Sequence, residues 1–533
     1  MITLTTRTKK NAAAAPDATT ATTATTAPIG VIGVIPAAGA AGAAGAPSMI
    51  PYRVPPVRQL GPARLTAGLE DCRRMDLAAH RDMHGTAPVM SGEELASLAD
   101  EVDMRGRGGA AFPFARKLRA VMGKRADKIV LVNAAEGEPA SSKDTMLLTR
   151  TPHLVIEGAL LAANAIGARQ VVIATVEGGM GHASVSAAVE ERGIGDRVRV
   201  AGIVERFISG EGGALVRSVN GQIGEPPGRK VRAVESGVNG LPTLLSNAET
   251  YAQLAVLATL GAERYADVGT AREPGTVLLT VGGSAKAPAV VEVATGTPLY
   301  AVLDACKATT GDGVLVGGYH GAWLSADAAA VATVSRQGIT EAGGQLGAGI
   351  IVPLGGETCP LGETLRVARY LAAQSSGQCG PCRLGLPDVA RSLAEVMAGS
   401  APALDELRSR AAGVKGRGAC FHPDGTSRFV LSALDAFPDD IEEHLLHGTC
   451  GRPVHGVLPL PPQENEPEVR LTVDWTRCQG HGLCARLAPD LVHLDEHGYP
   501  VFGHDTVPAQ FRRMARRAVE MCPALALRVA QGV

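Results

Sequence analysis

The chain has 533 residues, of which 45% are hydrophobic and 3% aromatic, and its formal net charge is −2. That length suits roughly three or four domains. Near-neutral charge and scarce aromatic rings exclude a general nucleic-acid binder, which needs a basic footprint and stacking platforms. The ten cysteines include two tight local groups, Cys379/Cys382 and Cys478/Cys484, each with a later Cys downstream. Such spacing points to metal ligation in a reducing, cytoplasmic compartment, not to a disulfide framework.

Residues 1–50 are expected to be a disordered tail. Arg7, Lys9 and Lys10 are followed by a Thr/Ala tract and not by the apolar region of a signal peptide. Pro36 and Pro47 interrupt the apolar stretch Pro28–Ile50, so no membrane span is expected. Ordered structure should begin near Pro51. Over residues 51–270 strands and helices alternate: Lys128–Asn133, Gln170–Val176 and Arg197–Ile203 read as buried strands, Pro152–Ala168 and His182–Glu191 as helices. Repeated strand–helix–strand units imply an α/β domain with parallel pairing.

Residues 271–347 change character. Thr276–Val281, Ala289–Val293 and Gly313–Val316 are short strand patterns, with a single helix at Leu299–Lys307, so a small α+β domain is expected. Residues 348–457 read as helical, with periodic stretches at Leu361–Gln374, Leu386–Met397, Ala403–Ala412 and Ser427–Leu434. A Pro-rich linker, 458–467, precedes a compact Cys-bearing segment, 468–533. There, Val469–Val473 is a strand and Val519–Val529 carries the last Cys and a closing strand.

Three sets of residues carry chemistry. Arg105-Gly106-Arg107-Gly108-Gly109-Ala110-Ala111-Phe112-Pro113 is a glycine-rich turn ahead of a helix. Its backbone N–H groups can approach a phosphate, with Arg107 and Lys117 adding positive charge. Cys379, Cys382 and Cys420 form a thiolate set in the helical region. Cys478, Cys484 and Cys522-Pro523 form another in the last segment. Thiolates are the soft donors that suit iron–sulfur clusters. Cys72, Cys306, Cys359 and Cys450 lack such spacing and read as incidental thiols.

The glycine-rich run matches RGRGGxGFP of the flavin-carrying, NADH-oxidising subunit of respiratory complex I and of related hydrogenase and formate dehydrogenase subunits. Asn133–Pro139 with Lys143-Asp144, Pro152-His153 with Glu157-Gly158, Phe207–Glu211 and Ser246–Thr250 resemble that family's later motifs in the same order. The resemblance covers roughly residues 60–450. It implies FMN held by Gly106, Arg107, Gly108, Gly109, Lys117, Asn133, Ser246, Asn247 and Thr250. It implies NADH or NADPH near Phe112, Glu136 and Glu138, with Gly210 and Glu211 completing the set. No catalytic acid or base is implied, because hydride transfer is carried by the flavin. The residues 271–347 resemble the family's soluble-ligand-binding β-grasp domain.

The helical segment resembles the family's SCGxCxPCR pattern with a later Cys, which implies one 4Fe–4S cluster on Cys379, Cys382 and Cys420. Ser376 stands at the first ligand position, and His422 is another candidate donor. The last segment resembles the single-cluster ferredoxins that serve bacterial haem monooxygenases. Three Cys there hold a 3Fe–4S cluster when the middle position is not Cys. His481 occupies that position and is either a fourth ligand, giving a 4Fe–4S site, or a polar loop residue.

The chain also departs from the family. Ala135 replaces an Asp, Gly212 a Glu and Ser246 an Asn, and Ala120 and Arg232 stand where aromatic rings flank the adenine. These changes bear on the nicotinamide more than on FMN. The expected activity is an NAD(P)H dehydrogenase-type oxidoreductase that passes electrons through FMN and a cluster to the ferredoxin module. An external redox protein would accept them, a haem protein or a membrane reductase that also makes the chain peripheral at the membrane. The alternative is a non-catalytic electron-transfer subunit of a larger complex.

Overall fold

The computed structural model describes residues 56–70, 72–228, 231–461, 469–489, 491–502, 507 and 512–531. The expected tail, most of the linker and both chain ends lie outside the described residues.

The first strand, β1 (Val57–Leu60), pairs with a strand more than two hundred residues later and is taken up below. Four parallel strands form the first sheet: β2 (Lys128–Ala134), β3 (Ala168–Val176), β4 (Val198–Ile203) and β5 (Thr243–Asn247), in the spatial order β4-β3-β2-β5. Strand β2 shows why this sheet is buried on both faces. Val130 and Val132 face one core with the helices Phe114–Met122, Pro152–Ile166 and Ala248–Ala266, whereas Ile129 and Leu131 face a second core with Leu215 and Val238. The helix Pro152–Ile166 starts on Pro152 and stops at Gly167, whose φ of 64° is a left-handed cap. Gly158 lets this helix lie directly on the backbone of Tyr251, since any Cβ there would overlap the Tyr251 carbonyl.

A six-stranded mixed sheet follows, ordered β1-β7-β6-β10-β8-β9, from β6 (Thr276–Val281), β7 (Ala289–Ala294), β8 (Gly313–Val316), β9 (Ala322–Ser325) and β10 (Ile350–Pro353). The α+β character matches the expectation, but β1 and β10 come from outside residues 271–347. The region also carries two short helices beyond Leu299–Ala305, at Ala326–Val331 and Arg336–Glu341, so the single-helix expectation falls short. Both hold too few residues to show a period, and each is started by a serine cap, Ser325 and Ser335. The Glu292 carboxylate, 1% exposed, accepts hydrogen bonds from the backbone N–H groups of Arg64, Leu65 and Thr66 and from the Thr66 and Thr276 hydroxyls.

The helical region consists of Pro360–Gln374, Leu386–Met397, Ala401–Val414, His422–Ala436 and Pro438–His447, the last not foreseen. Trp323 on β9 stacks edge-on against Phe437 at 5.1 Å and joins this bundle to the mixed sheet. The last segment pairs β11 (Val469–Val473) antiparallel with β14 (Leu527–Gln531), and β12 (Val492–Leu494) with β13 (Pro500–Phe502). Among the described residues no helix is long and apolar enough to cross a membrane.

Candidate functional site

In a parallel sheet the crevice opens beyond the carboxyl ends of the strands where the strand order reverses. Here the chain runs outward from β2 to β4 and returns to place β5 on the other side of β2. The reversal sets Asn133 beside Asn247 and Val132 beside Ser246. The glycine-rich turn closes over this point. Arg105 bridges to Pro113, and Gly106 N–H donates to the Phe112 carbonyl at 3.0 Å. Gly109 has φ 101°, and a Cβ on Gly108 would press on Asn247 Cβ at 3.2 Å. The positive φ of Gly109 favours glycine there, and Gly108 packs tightly where the turn meets the strand ends.

The turn is held from beneath by a buried network. Lys143 donates to the Arg107 carbonyl at 2.7 Å and to Glu249 Oε2 at 2.6 Å, with both side chains almost fully buried. Arg107 N–H donates to Thr250 Oγ1 at 2.9 Å. Asn247 Nδ2 donates to Asp144 Oδ2 at 2.6 Å, and its Oδ1 caps the helix Ala248–Ala266 through Glu249 N–H. Burial pushes the Asp144 carboxyl up to about 7, and its Oδ1 has no partner. Lys117 donates to the Leu245 carbonyl at 2.8 Å, and burial lowers its pKa. A cavity of about 280 Å³ lies against the turn, lined by Gly106, Arg107, Gly109, Lys143 and, from the mixed-sheet domain, Arg336 and Gly347. Sequence reasoning left Lys143, Asp144 and Glu249 out of the site although they sit inside the motifs it quoted. Their buried, charged character was the available signal.

Both acidic residues expected near the nicotinamide have partners within the protein. The Glu136 carboxylate accepts from Ser141 Oγ, Asp144 N–H and Thr145 N–H, capping the helix Lys143–Arg150. Glu138 accepts from the Tyr319 N–H, and burial pushes its carboxyl up to about 8. Both are bound inward because the loop sits against a helix N-terminus on one side and the Gly318-Tyr319 turn on the other. Phe112 is 42% exposed, with the Arg116 guanidinium and Lys117 ammonium each within 6 Å of its ring. Arg232 is exposed.

From the strand ends the structure leads to the thiols of the helical region. Asn133 Nδ2 donates to the Gly210 carbonyl at 2.9 Å, and Glu211 caps the helix Gly212–Val219 through Ala214 N–H. The Glu211 charge acts on the Cys420 thiol, raising its pKa beyond what burial does. Burial pushes Cys382 up to about 12, with Cys379 adding to the shift. Burial also raises Cys379, yet the N–H groups of Ala419 and Cys382 more than offset this and leave it below the ordinary thiol value. The three thiols therefore converge. Ser375, whose hydroxyl donates to the Ala372 carbonyl at 2.9 Å, also reaches the Cys382 thiol and lowers its pKa slightly. His422 is not a free donor: its Nε2 bonds the Leu371 carbonyl at 2.8 Å and its Nδ1 meets His320 at 3.0 Å. In the last segment Cys478 and Cys522 both act on the Cys484 thiol, whose pKa is raised chiefly by burial. Gly480 and Gly482, both at φ 68°, turn the loop around them, with His481 exposed between. All ten cysteines are unpaired.

Residues 99–256 match the Nuo51 FMN-binding domain. Residues 363–444 match the iron–sulfur binding region of NADH-ubiquinone oxidoreductase F, and residues 471–529 a 4Fe–4S single-cluster domain. In the first two of these regions the chain is similar to the complex I 51K/NuoF family. It is 28% identical over 457 residues to the NADP-reducing hydrogenase subunit HndC of Solidesulfovibrio fructosivorans, covering 81% of this chain and 91% of that one. It is 28% identical over 380 residues to the F subunit of NADH-quinone oxidoreductase from Aquifex aeolicus, covering 67% and 87%. The fold aligns with an air-oxidized NAD+-reducing nickel–iron hydrogenase at a TM-score of 0.65 and 26% identity, over 73% of this chain and 68% of that one. The Nuo51 match spans the strand reversal and the glycine-rich turn, so the cradle and the family likeness rest on the same residues. The cradle fits FMN: a glycine turn with Gly109 at positive φ and Gly108 close on Asn247 leaves open a cavity lined by the cationic Arg107 and Lys143.

Proposed function

We propose that this chain is the flavin- and iron–sulfur-bearing subunit of an NAD(P)H oxidoreductase and hands electrons on to its own ferredoxin-type module. The observation that carries this reading is the glycine-rich turn closed over the β2/β5 reversal, with Asn133 there bonded to Gly210, next to Glu211, whose charge is felt at Cys420. FMN, when bound, joins a two-electron hydride donor to one-electron carriers. Gly106, Arg107, Gly108, Gly109, Lys117, Asn133, Ser246, Asn247 and Thr250 would hold it, and Phe112 would flank the nicotinamide nucleotide. Cys379, Cys382 and Cys420 would hold the first cluster, with Ser375 or Ser376 supplying an oxygen beside the fourth iron. Cys478, Cys484 and Cys522 would hold the second as 3Fe–4S, or as 4Fe–4S with His481. The middle domain reads as the β-grasp domain, and the reduced thiols suit the cytoplasm. The acceptor is a redox protein, a haem protein or a membrane reductase.

The second reading, an electron-transfer subunit that no longer oxidises nicotinamide, is favoured by the inward engagement of Glu136 and Glu138 and by Ala135, Gly212 and Ala120. Absorbance of the anaerobic protein before and after NADH, then NADPH, separates the two. Flavin bleaching by either nucleotide supports the oxidoreductase, bleaching by dithionite alone supports the carrier, and protein lacking both flavin and iron refutes both.

A further inference from the structure

The helical region holds a second donor cluster, at the opposite end of the helix Pro360–Gln374 from Cys379. Cys359 is the N-cap of that helix, and its Sγ accepts from Gly362 N–H at 3.2 Å. His444 lies in the last turn of Pro438–His447, with Nε2 3.3 Å from Cys359 Sγ. Its Nδ1 lies 2.9 Å from the Met397 carbonyl. A carbonyl only accepts, so Nδ1 carries the proton and Nε2 presents its lone pair to the thiol. Cys450 completes the group, its thiol in contact with that of Cys359. The three donor atoms lie within 4.8 Å of one another, the one such group among the described residues, and Cys359 and His444 are buried. The expectation that Cys359 and Cys450 are unrelated thiols is therefore corrected.

We propose that Cys359, His444 and Cys450 bind a zinc ion that fastens the C-terminal end of the helical region. Two sulfurs and an imidazole are a borderline-soft set suited to tetrahedral zinc. The carbonyl on the far side of the ring is the support that metal-ligating histidines use to set tautomer and orientation. Burial pushes the Cys359 thiol up to about 12 without a metal, and the Gly362 N–H at the helix N-terminus offsets only part of this. Binding expels the two thiol protons to solvent and involves no redox change. A Cys359–Cys450 disulfide would leave Nε2 of His444 buried without a partner, so the histidine argues for the metal. The fourth position falls to water or to His455, whose N–H donates to Thr358 Oγ1 at 3.0 Å.

The ion would serve structure, not electron flow. A helix of 15 residues places it about 22 Å along the axis from the Cys379 end. It also sits where the chain leaves for the C-terminal module. Cys359 N–H donates to the Pro453 carbonyl, and the Glu363 carboxylate takes the N–H groups of Gly456, Val457 and Leu458. The metal would lock the same segment from its other side.

The test is metal analysis and zinc K-edge absorption on the full chain, purified anaerobically without chelators from zinc-supplemented cells. One zinc per chain is expected, with two sulfur ligands and at least one imidazole. Cys359→Ser, His444→Gln and Cys450→Ser should each lose it while keeping wild-type flavin and iron. Should the variants fail to fold, wild-type chain from zinc-depleted cells should melt at a higher temperature once Zn²⁺ is added. The proposal is overturned by zinc-free wild type with no melting shift on adding Zn²⁺, by zinc retained in all three variants, by iron at this site, or by a Cys359–Cys450 disulfide trapped by alkylation in intact cells.

Discussion

Lys143→Met removes the cation from the buried pair beneath the glycine-rich turn. The Lys143 and Glu249 side chains are 3% and 0% exposed, and their charged atoms are 2.6 Å apart. Taking one partner from such a pair costs about 3–5 kcal/mol, because the other charge stays buried, whereas replacing both with apolar groups is near neutral. Glu249→Leu should cost a similar amount. The double variant loses the pair cleanly but leaves two backbone groups unpaired, the Arg107 carbonyl and the Leu278 N–H, at about 1–2 kcal/mol each. The two single variants should then sum to about 6–10 kcal/mol and the double variant cost about 2–4, a coupling of at least about 2 kcal/mol. Urea titration of the full chain, followed by flavin fluorescence, reads the stability of the cradle. If the single effects add within about 0.5 kcal/mol in the double variant, the pair is not coupled and the reasoning is wrong.

Other tests follow from neighbouring features. Glu138 titrates near 8 in the fold against an ordinary 4.5, so the folded state holds a proton that the unfolded state gives up. Stability should fall as pH rises through that window, and Glu138→Gln should flatten the fall between urea titrations at pH 5 and pH 8. Asn247→Ala removes a helix cap worth about 1 kcal/mol and strands Asp144. Equilibrium dialysis should show weaker FMN retention, and unchanged retention would remove Asn247 from the cradle. Gly158→Ala forces a Cβ into the Tyr251 carbonyl and should yield little soluble chain; normal expression with an unshifted melting temperature contradicts the packing described. Ser376→Cys supplies the missing thiolate and should raise the iron retained after brief exposure to air, with Cys379→Ser as the control that loses it.

Legibility in the sequence tracked the span of each feature. The glycine-rich turn and both thiolate sets are local patterns, so their residue types announce the chemistry directly. The β2 and β3 strands were evident because burial on both faces demands a continuous apolar run. The roles of Glu136 and Glu138 were hidden, since a carboxylate reads alike whether it meets a substrate or caps a helix. The contact of Ser375 with Cys382 depends on the turn after Gln374, which no residue type announces. The Cys359–His444 contact joins residues 85 apart, and no local spacing foretells it. The helix Pro438–His447 was missed because its apolar face is short, with only Ile441 and His444 buried.

The Glu292 hub makes the N-terminal strand a late joiner in the life of the chain. Thr66 and Glu292 are 226 residues apart, so β1 leaves the ribosome long before the strand it must lie against exists. At about 5–20 residues per second the wait is roughly 11–45 seconds. During it, residues 57–60 have no sheet to join, while Leu65 can already pack into the core shared with β2. The last event in assembling this half of the molecule is then the capture of its own beginning. Substituting Glu292 would strike that step while leaving the flavin-binding core to fold on schedule.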